Sequence, residues 1–348
     1  MARASPGSFN LSDSVLPCQD IEALVAAGAI AAPGGVSGDQ VQPASLDLRL
    51  GPRAWRVRAS FLPRPGVKVA DRLAPLAMHE IDLARGAVLE RGCVYIAELA
   101  ERLSLPPGIA ARANPKSSTG RVDLFVRLLT DGQGAFDDVA EGYDGPLYVE
   151  IAPQTFSVLV RAGTRLNQLR LKSGRPPRLS HESVGVDLTG VVCGFRARRH
   201  AGVIDMDLEG GHDPLDFFEP LTSRKGALLL DPGEFYILCS KETVAIPVDQ
   251  AAEMTPIDPA VGEFRVHYAG FFDPGFGLAE THGEGSRGVL EVRSREIPFL
   301  LEDGQTVARL VFEPLSERPR RLYGAAGSHY QSQGLALSKH FRPLKSGL

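Results

Sequence analysis

Residues 45–51 read SLDLRLG, and residues 185–191 read GVDLTGV, so that Asp47 returns as Asp187 at an offset of 140. The echo continues outward. GCVYI at 92–96 reappears as GEFYI at 233–237, and Leu105-Pro106 as Ile246-Pro247. Glu150 in LYVEI reappears as Glu291 in GVLEV, and Gly163 in RAGTRLNQL as Gly304 in LEDGQTVARL, all at an offset of 141. Chance can match one short string, but it does not hold a register over more than a hundred residues, so the chain reads as a duplication. The polar, proline-containing stretch KSGRPPRLSHES at 172–183 is the natural joint, which gives domains 1–175 and 176–348.

Bulk properties agree with this division. A chain of 348 residues exceeds what one core usually serves. Its 37 glycines and 26 prolines suit short strands joined by tight turns better than long helices. PLYVEIAP (146–153), TFSVLVRAG (155–163) and RGVLEVRS (287–294) read as strands. One helix is expected near the start, where Asp20 could cap DIEALVAAGAI and Ile21, Leu24, Val25 and Ile30 share a face. The fold class is therefore β-rich, with few short helices.

A net charge of -4 offers no general attraction for a polyanion, so no nucleic acid partner is expected and any phosphate site must be local. No apolar run is long enough to span a bilayer, and Met1 to Val15 lacks the form of a signal peptide. The expectation is a cytoplasmic protein without a membrane partner. Cys18, Cys93, Cys193 and Cys239 form no Cys-x-x-Cys pair, so the zinc signature of the common nucleobase deaminases cannot be completed from His79-Glu80 or His181-Glu182.

Three clusters could carry chemistry. NPKSSTGR at 114–121 gathers Lys116, Ser117, Ser118, Gly120 and Arg121 in a short polar stretch suited to an anion, although a solvated turn would look the same. Its spacing is not that of a Walker loop. Glu150 interrupts the apolar strand Leu147–Ile151; if buried, its pKa would rise toward the range in which one group both accepts and donates a proton near neutrality. The tail YGAAGSHYQSQGLALSKHF at 323–341 has the look of a frayed end or of a lid over a ligand.

Taken in order, these clusters resemble the dCTP deaminase family, a branch of the trimeric dUTPase-like fold. QPASLDLRLG at 42–51 is similar to its N-terminal strand signature, NPKSSTGR to its phosphate loop, and GYDGPLYVEI at 142–151 to the stretch ending in its catalytic glutamate. AGFFDPGFG at 269–277, GVLEV, RLVFEPL at 309–315 and the tail from Tyr323 to Gly334 are similar to family motifs in the second copy. The resemblance implies two tandem dUTPase-like distorted β-barrel or jelly-roll domains. It also implies conversion of dCTP to dUTP and ammonia without zinc, magnesium held through substrate phosphates, and dUTP or dTTP as further ligands. Single-domain relatives are trimers with sites between subunits, so a homo-oligomer is expected.

By resemblance, Glu150 is the general base, Ser117 holds the water or developing oxyanion, and Arg121 lies near the base and phosphates. Lys116, Ser118, Thr119 and Gly120 cradle the triphosphate, Tyr143, Tyr148 and Val149 join the substrate site, and Tyr323, His329 and Gln333 close over the phosphates. Thr130 or Asp131 would meet the base edge. Three positions depart from the pattern. Lys116 stands where Arg is usual, Tyr143 where an indole is common, and His329 where Lys is usual. The second copy keeps Glu291 and Asp273, but its loop reads EMTPIDPAVG at 253–262, with acidic Asp258 and no Lys-Ser-Ser-x-x-Arg. The expected site therefore combines the first domain's loop and Glu150 with the second domain's tail, Glu291 being dispensable. The rival within the fold is pyrophosphate release, as in dUTPases or bifunctional deaminases, for which Asp137, Asp138 and Tyr143 are the available groups.

Overall fold

The computed structural model describes residues 13–257, 270–294, 296–325 and 328–344, and the backbone of 264–267. Asp258, singled out in the second half's loop, lies outside them. Each half has two main antiparallel sheets among the described residues. In the first half, the larger sheet runs Ala77–Asp82, Leu50–Val57, Val94–Ser104, Asp144–Pro153, Leu124–Thr130, with Ile30–Ala31 also paired to Val94–Ser104. In the second it runs Phe218–Leu221, Gly194–Ala197, Phe235–Thr243, Arg287–Ser294, Phe264–His267, the same order.

The smaller sheets repeat as well. Ser14–Val15, Asn167–Ser173, Ile109–Pro115 and Asp138–Val139 correspond to Ser180–Gly185, Thr306–Pro314, Gln250–Pro256 and Phe271–Phe272. Register carries the duplication down to single residues. Glu150 sits between Ile96 and Arg127, and Glu291 between Ile237 and His267. The two glutamates thus hold the same place in the same sheet.

Strand Asp144–Pro153 is buried at every position from Leu147 to Pro153 because strands flank it on both edges and core packs on both faces, which is why its sequence is a nearly continuous apolar run. The expected helix forms over Cys18–Ala26, but Pro17, not Asp20, is its N-cap. Asp20 lies in the first turn, where its carboxylate accepts from Ser316 Oγ at 3.0 Å. A proline at the helix boundary has no N–H to satisfy and presets the turn, so the helix starts earlier than a capping carboxylate would predict.

The halves share a core. Phe156 of the first packs edge-on against Phe217 and Phe218 of the second at 5.6 and 5.4 Å, and Phe341 of the tail joins the same cluster. Ile204–Asp205 adds a parallel strand to Val158–Val160, fixed by Arg161 pairing with Asp205 at 2.7 Å. Lys172 meets Glu313 at 2.7 Å and Arg112 meets Glu253 at 3.8 Å. Each pair joins positions 141 apart, the same place in the two copies. Identical copies would set like charges together there, so opposite charges make pairing of unlike halves the favourable arrangement. Phe156→Ala empties the shared aromatic cluster and is expected to destabilise the protein by about 3–5 kcal/mol, measured by chemical denaturation against wild type.

Candidate active site

Strand Ile109–Pro115 delivers the chain to a single helical turn, Ser117–Gly120, with Lys116 extended before it and Arg121 closing it. Thr119 and Gly120 N–H groups donate to the Lys116 carbonyl, at 2.8 and 3.0 Å, so the turn is locked by its own backbone. Lys116 Nζ is ion-paired with Asp47 of the repeated SLDLRLG stretch. Arg121 is almost fully buried, and its guanidinium lies 3.9 Å above the Tyr330 ring. It donates to Gln333 Oε1 at 2.9 Å and to the carbonyls of Ala336 and Leu337 at 3.2 and 3.4 Å. Ser338 Oγ donates to the Ser118 carbonyl at 2.8 Å. The tail is therefore laid along the Lys-Ser-Ser turn rather than frayed.

Turn and tail enclose a cavity of about 720 Å³ whose far wall belongs to the second half. Glu291 lines it from strand Arg287–Ser294. Burial pushes the Glu291 carboxyl up to about 8, against the pull of the Arg121 cation and with a smaller upward contribution from Asp123. Phe271, Phe272 and Phe276 give the cavity an apolar side. First-half Arg170 anchors that turn by donating to the Phe272 carbonyl at 3.2 Å and lying 4.0 Å over Phe271. Asp273, also in the wall, is pushed up to about 6 by burial, with Arg170 3.5 Å away opposing the rise. Burial raises the Tyr323 hydroxyl and lowers the His329 imidazole, the latter aided by the Lys339 cation.

Of the residues expected from sequence, Lys116, Ser117, Ser118, Arg121, Tyr323, His329 and Gln333 line this cavity together. Thr119 and Gly120 are buried behind them, shaping the turn without reaching the cavity. Glu150 does not belong to it. Its carboxylate, 1% exposed, accepts from Arg127 Nε at 3.0 Å. Arg127 in turn lies 3.6 Å over the Phe136 ring and donates to Ser60 Oγ at 3.1 Å. Tyr148 packs with Val57, Phe61, Val69 and Leu73, and Val149 sits in the main core. Tyr143 donates its hydroxyl to the Pro146 carbonyl at 2.7 Å and accepts from the Asp131 N–H at 3.2 Å.

Asp131 accepts from the Val69 N–H at 2.8 Å, and Thr130 Oγ1 donates to the Asp138 carbonyl at 3.3 Å. Asp137 accepts from the Leu128 N–H at 2.7 Å, and neither it nor Asp138 lines the cavity. One arrangement accounts for all of these placements. Arg127 neutralises the first glutamate across the strand pair, and the segment around helix Val69–Leu73 packs back onto its own half, against Tyr148. Sequence reasoning missed Glu291, Asp273, Tyr330 and Lys339 as cavity residues. A signal existed in Arg127, since a guanidinium inside the apolar strand LFVRLLT requires an acidic partner nearby.

The chain matches the 2'-deoxycytidine 5'-triphosphate deaminase N-terminal domain over residues 12–175 and the C-terminal domain over residues 164–341. It is similar to a solved structure titled 2'-deoxycytidine 5'-triphosphate deaminase from Agrobacterium tumefaciens, at 50% identity and a TM-score of 0.84, over 88% of this chain and 99% of that one. Among curated proteins it is 29% identical to a dCTP deaminase of Halorubrum lacusprofundi over 37% of this chain and 62% of that one. It is 35% identical to a dUMP-forming dCTP deaminase of Beutenbergia cavernae over 31% and 54%. The matched stretches thus span less than two thirds of those two curated relatives. On two overlapping domain matches that together run through residues 12–341, and on half-identity to a solved relative along nearly its whole length, this chain belongs to the dCTP deaminase family.

Proposed function

We propose that the protein hydrolyses dCTP to dUTP and ammonia, with Glu291 rather than Glu150 as the proton carrier. One observation supports this above the others: the Lys116–Arg121 turn and Glu291 reach a single cavity from opposite halves of the chain. Attack of water at C4 of cytosine needs a proton on N3, an acceptor for the water's proton and a donor to the departing nitrogen. A carboxyl held up at about 8 begins the cycle protonated at neutral pH. It gives that proton to N3, and the resulting carboxylate takes one from the attacking water. The regained proton goes to the amino group at C4, the C–N bond breaks to release ammonia, and the carboxylate recovers the proton of the C4 hydroxyl as the carbonyl forms. The balance closes on dUTP, ammonia and the starting acid.

In this reading Ser117 orients the water, while Lys116, Ser118 and the tail residues Tyr323, His329 and Gln333 hold the phosphates. Phe271, Phe272 and Phe276 offer the ring an apolar face. Magnesium would enter with the nucleotide and supply charge neutralisation at the phosphates. The carboxylates at that end, Asp47, Asp39, Asp207 and Glu209, are engaged by Lys116, Arg165, Arg161 and Lys339, which suits an ion held through phosphate oxygens. No helix among the described residues is long and apolar enough to cross a membrane. We place the reaction in the cytoplasm and expect a homo-oligomer. Exposed cross-strand neighbours Leu229 and Leu300 support the latter, and sedimentation would measure it.

The test is to incubate the protein with dCTP and quantify ammonia, dUTP, dUMP and pyrophosphate separately. A second reading, onward release of pyrophosphate to give dUMP, is favoured by Asp273, a cavity carboxylate with its pKa near 6. dUMP and pyrophosphate appearing with the ammonia would select it. The proposed cycle also fixes a pH dependence. Because the carboxyl must start protonated, kcat/KM should fall on the alkaline side with a limb near pH 8. A profile that stays level through pH 9 would remove Glu291 as the proton donor.

A further inference from the structure

The phosphate end of the cavity contains a charge pair that the proposed cycle does not use. Lys339, in the tail, places Nζ 2.5 Å from Glu209 Oε1, and His329 Nε2 lies 3.5 Å from the same oxygen. Glu209 comes from the second half's segment after strand Ile204–Asp205, whose backbone is tied to the tail. Gly210 N–H donates to the Lys339 carbonyl at 2.9 Å, and His212 N–H to that of His340 at 3.1 Å. The backbones are thus fixed together while the two side chains remain partly in solvent, Lys339 at 24% and Glu209 at 53%. A pair this exposed is weakly held and exchanges readily.

The next residue gives an independent sign of a ligand. His340 is 1% exposed in the cavity wall, and neither ring nitrogen forms a well-made hydrogen bond with a protein group, although the Leu208 carbonyl is near. Burial and the Lys339 cation keep its ring neutral, so it offers one N–H and one acceptor. Buried polar atoms of this kind are destabilising unless a bound group or water meets them.

We propose that Lys339 and His340 form the subsite for the terminal phosphate of the nucleotide, and that Glu209 is the counter-ion Lys339 leaves when the triphosphate arrives. The inference rests on the reading of this cavity as a dCTP site and assigns which residues read chain length at its phosphate end. Lys116 and Ser118 serve the phosphates nearer the sugar. In the free protein Glu209 prevents Lys339 from standing unpaired; in the complex it competes with the phosphate for the same cation. The two side chains must therefore act with opposite sign.

The experiment compares Lys339→Gln, Lys339→Arg and Glu209→Gln for KM with dCTP and for competition by dCMP, with ammonia release as the assay. Lys339→Gln should raise the dCTP KM about tenfold, the scale of one charge-assisted hydrogen bond, and change dCMP inhibition less than about twofold. Lys339→Arg should restore most of the affinity. Glu209→Gln should lower the dCTP KM about threefold. Equal weakening of dCTP and dCMP by Lys339→Gln, failure of Lys339→Arg to restore binding, or weaker dCTP binding in Glu209→Gln would each overturn the subsite. Absence of ammonia from the wild-type protein would instead overturn the deaminase reading itself.

Discussion

Replacing Glu291 by Gln is expected to lower kcat for ammonia release from dCTP at least about a thousandfold, with nucleotide binding kept within a few-fold. The amide preserves the size of the side chain and its place on strand Arg287–Ser294, but it can neither deliver a proton to N3 nor accept one from water. Loss confined to kcat is the signature of a group that acts in the transition state. Glu150→Gln should behave differently. Its carboxylate is sealed against Arg127, and the cavity lies elsewhere. Activity should stay within about threefold of wild type. Exchanging the buried charge leaves Arg127 without its counter-ion, so stability should fall by about 1–3 kcal/mol. Stopped-time ammonia assays and denaturant titrations on the two variants separate the roles. Catalytic loss in Glu150→Gln with an active Glu291→Gln would return the proton carrier to the first half.

The contrast between these glutamates shows what a sequence can and cannot convey about a duplicated chain. The offset of 141 is written in side chains whose identity is set by the sheet, and the register of Glu150 against Ile96 and of Glu291 against Ile237 is its structural counterpart. The Lys-Ser-Ser-x-x-Arg turn was equally legible, because its backbone conformation and its chemistry both reside in consecutive residues. Which glutamate faces that turn is a different kind of fact. It depends on how one half docks on the other, through Phe156 on Phe217 and Phe218, and Arg293 on Asp123. No local pattern encodes that packing. Sequence order pairs a loop with the glutamate of its own repeat, yet the turn shares its cavity with the glutamate of the other copy. Arg127 could have warned of this, but only by reading it as the reason Glu150 tolerates burial.

Arg121 is where the two halves and the tail converge, and its replacement carries the second large expected effect. Its guanidinium stacks on Tyr330, holds Gln333 and two tail carbonyls, and pulls down the pKa of Glu291 by its charge. Stacking and the fork of donors need a planar guanidinium, whereas the influence on Glu291 needs only a cation. Arg121→Lys and Arg121→Met therefore divide the functions. Both should release the tail, since neither side chain can cover Tyr330 and reach Gln333 and the carbonyls of Ala336 and Leu337 together; kcat/KM should drop about a hundredfold in the lysine variant and about a thousandfold in the methionine variant. Limited proteolysis should cut the tail beyond Tyr323 in both. The pH profiles should differ. Lysine keeps the alkaline limb near pH 8, while methionine removes the cation that favours ionised Glu291 and moves the limb upward. If the limb stays in place in Arg121→Met while the tail is cut, Arg121 serves only as the clasp of the lid, and the tuning of Glu291 rests on its burial alone.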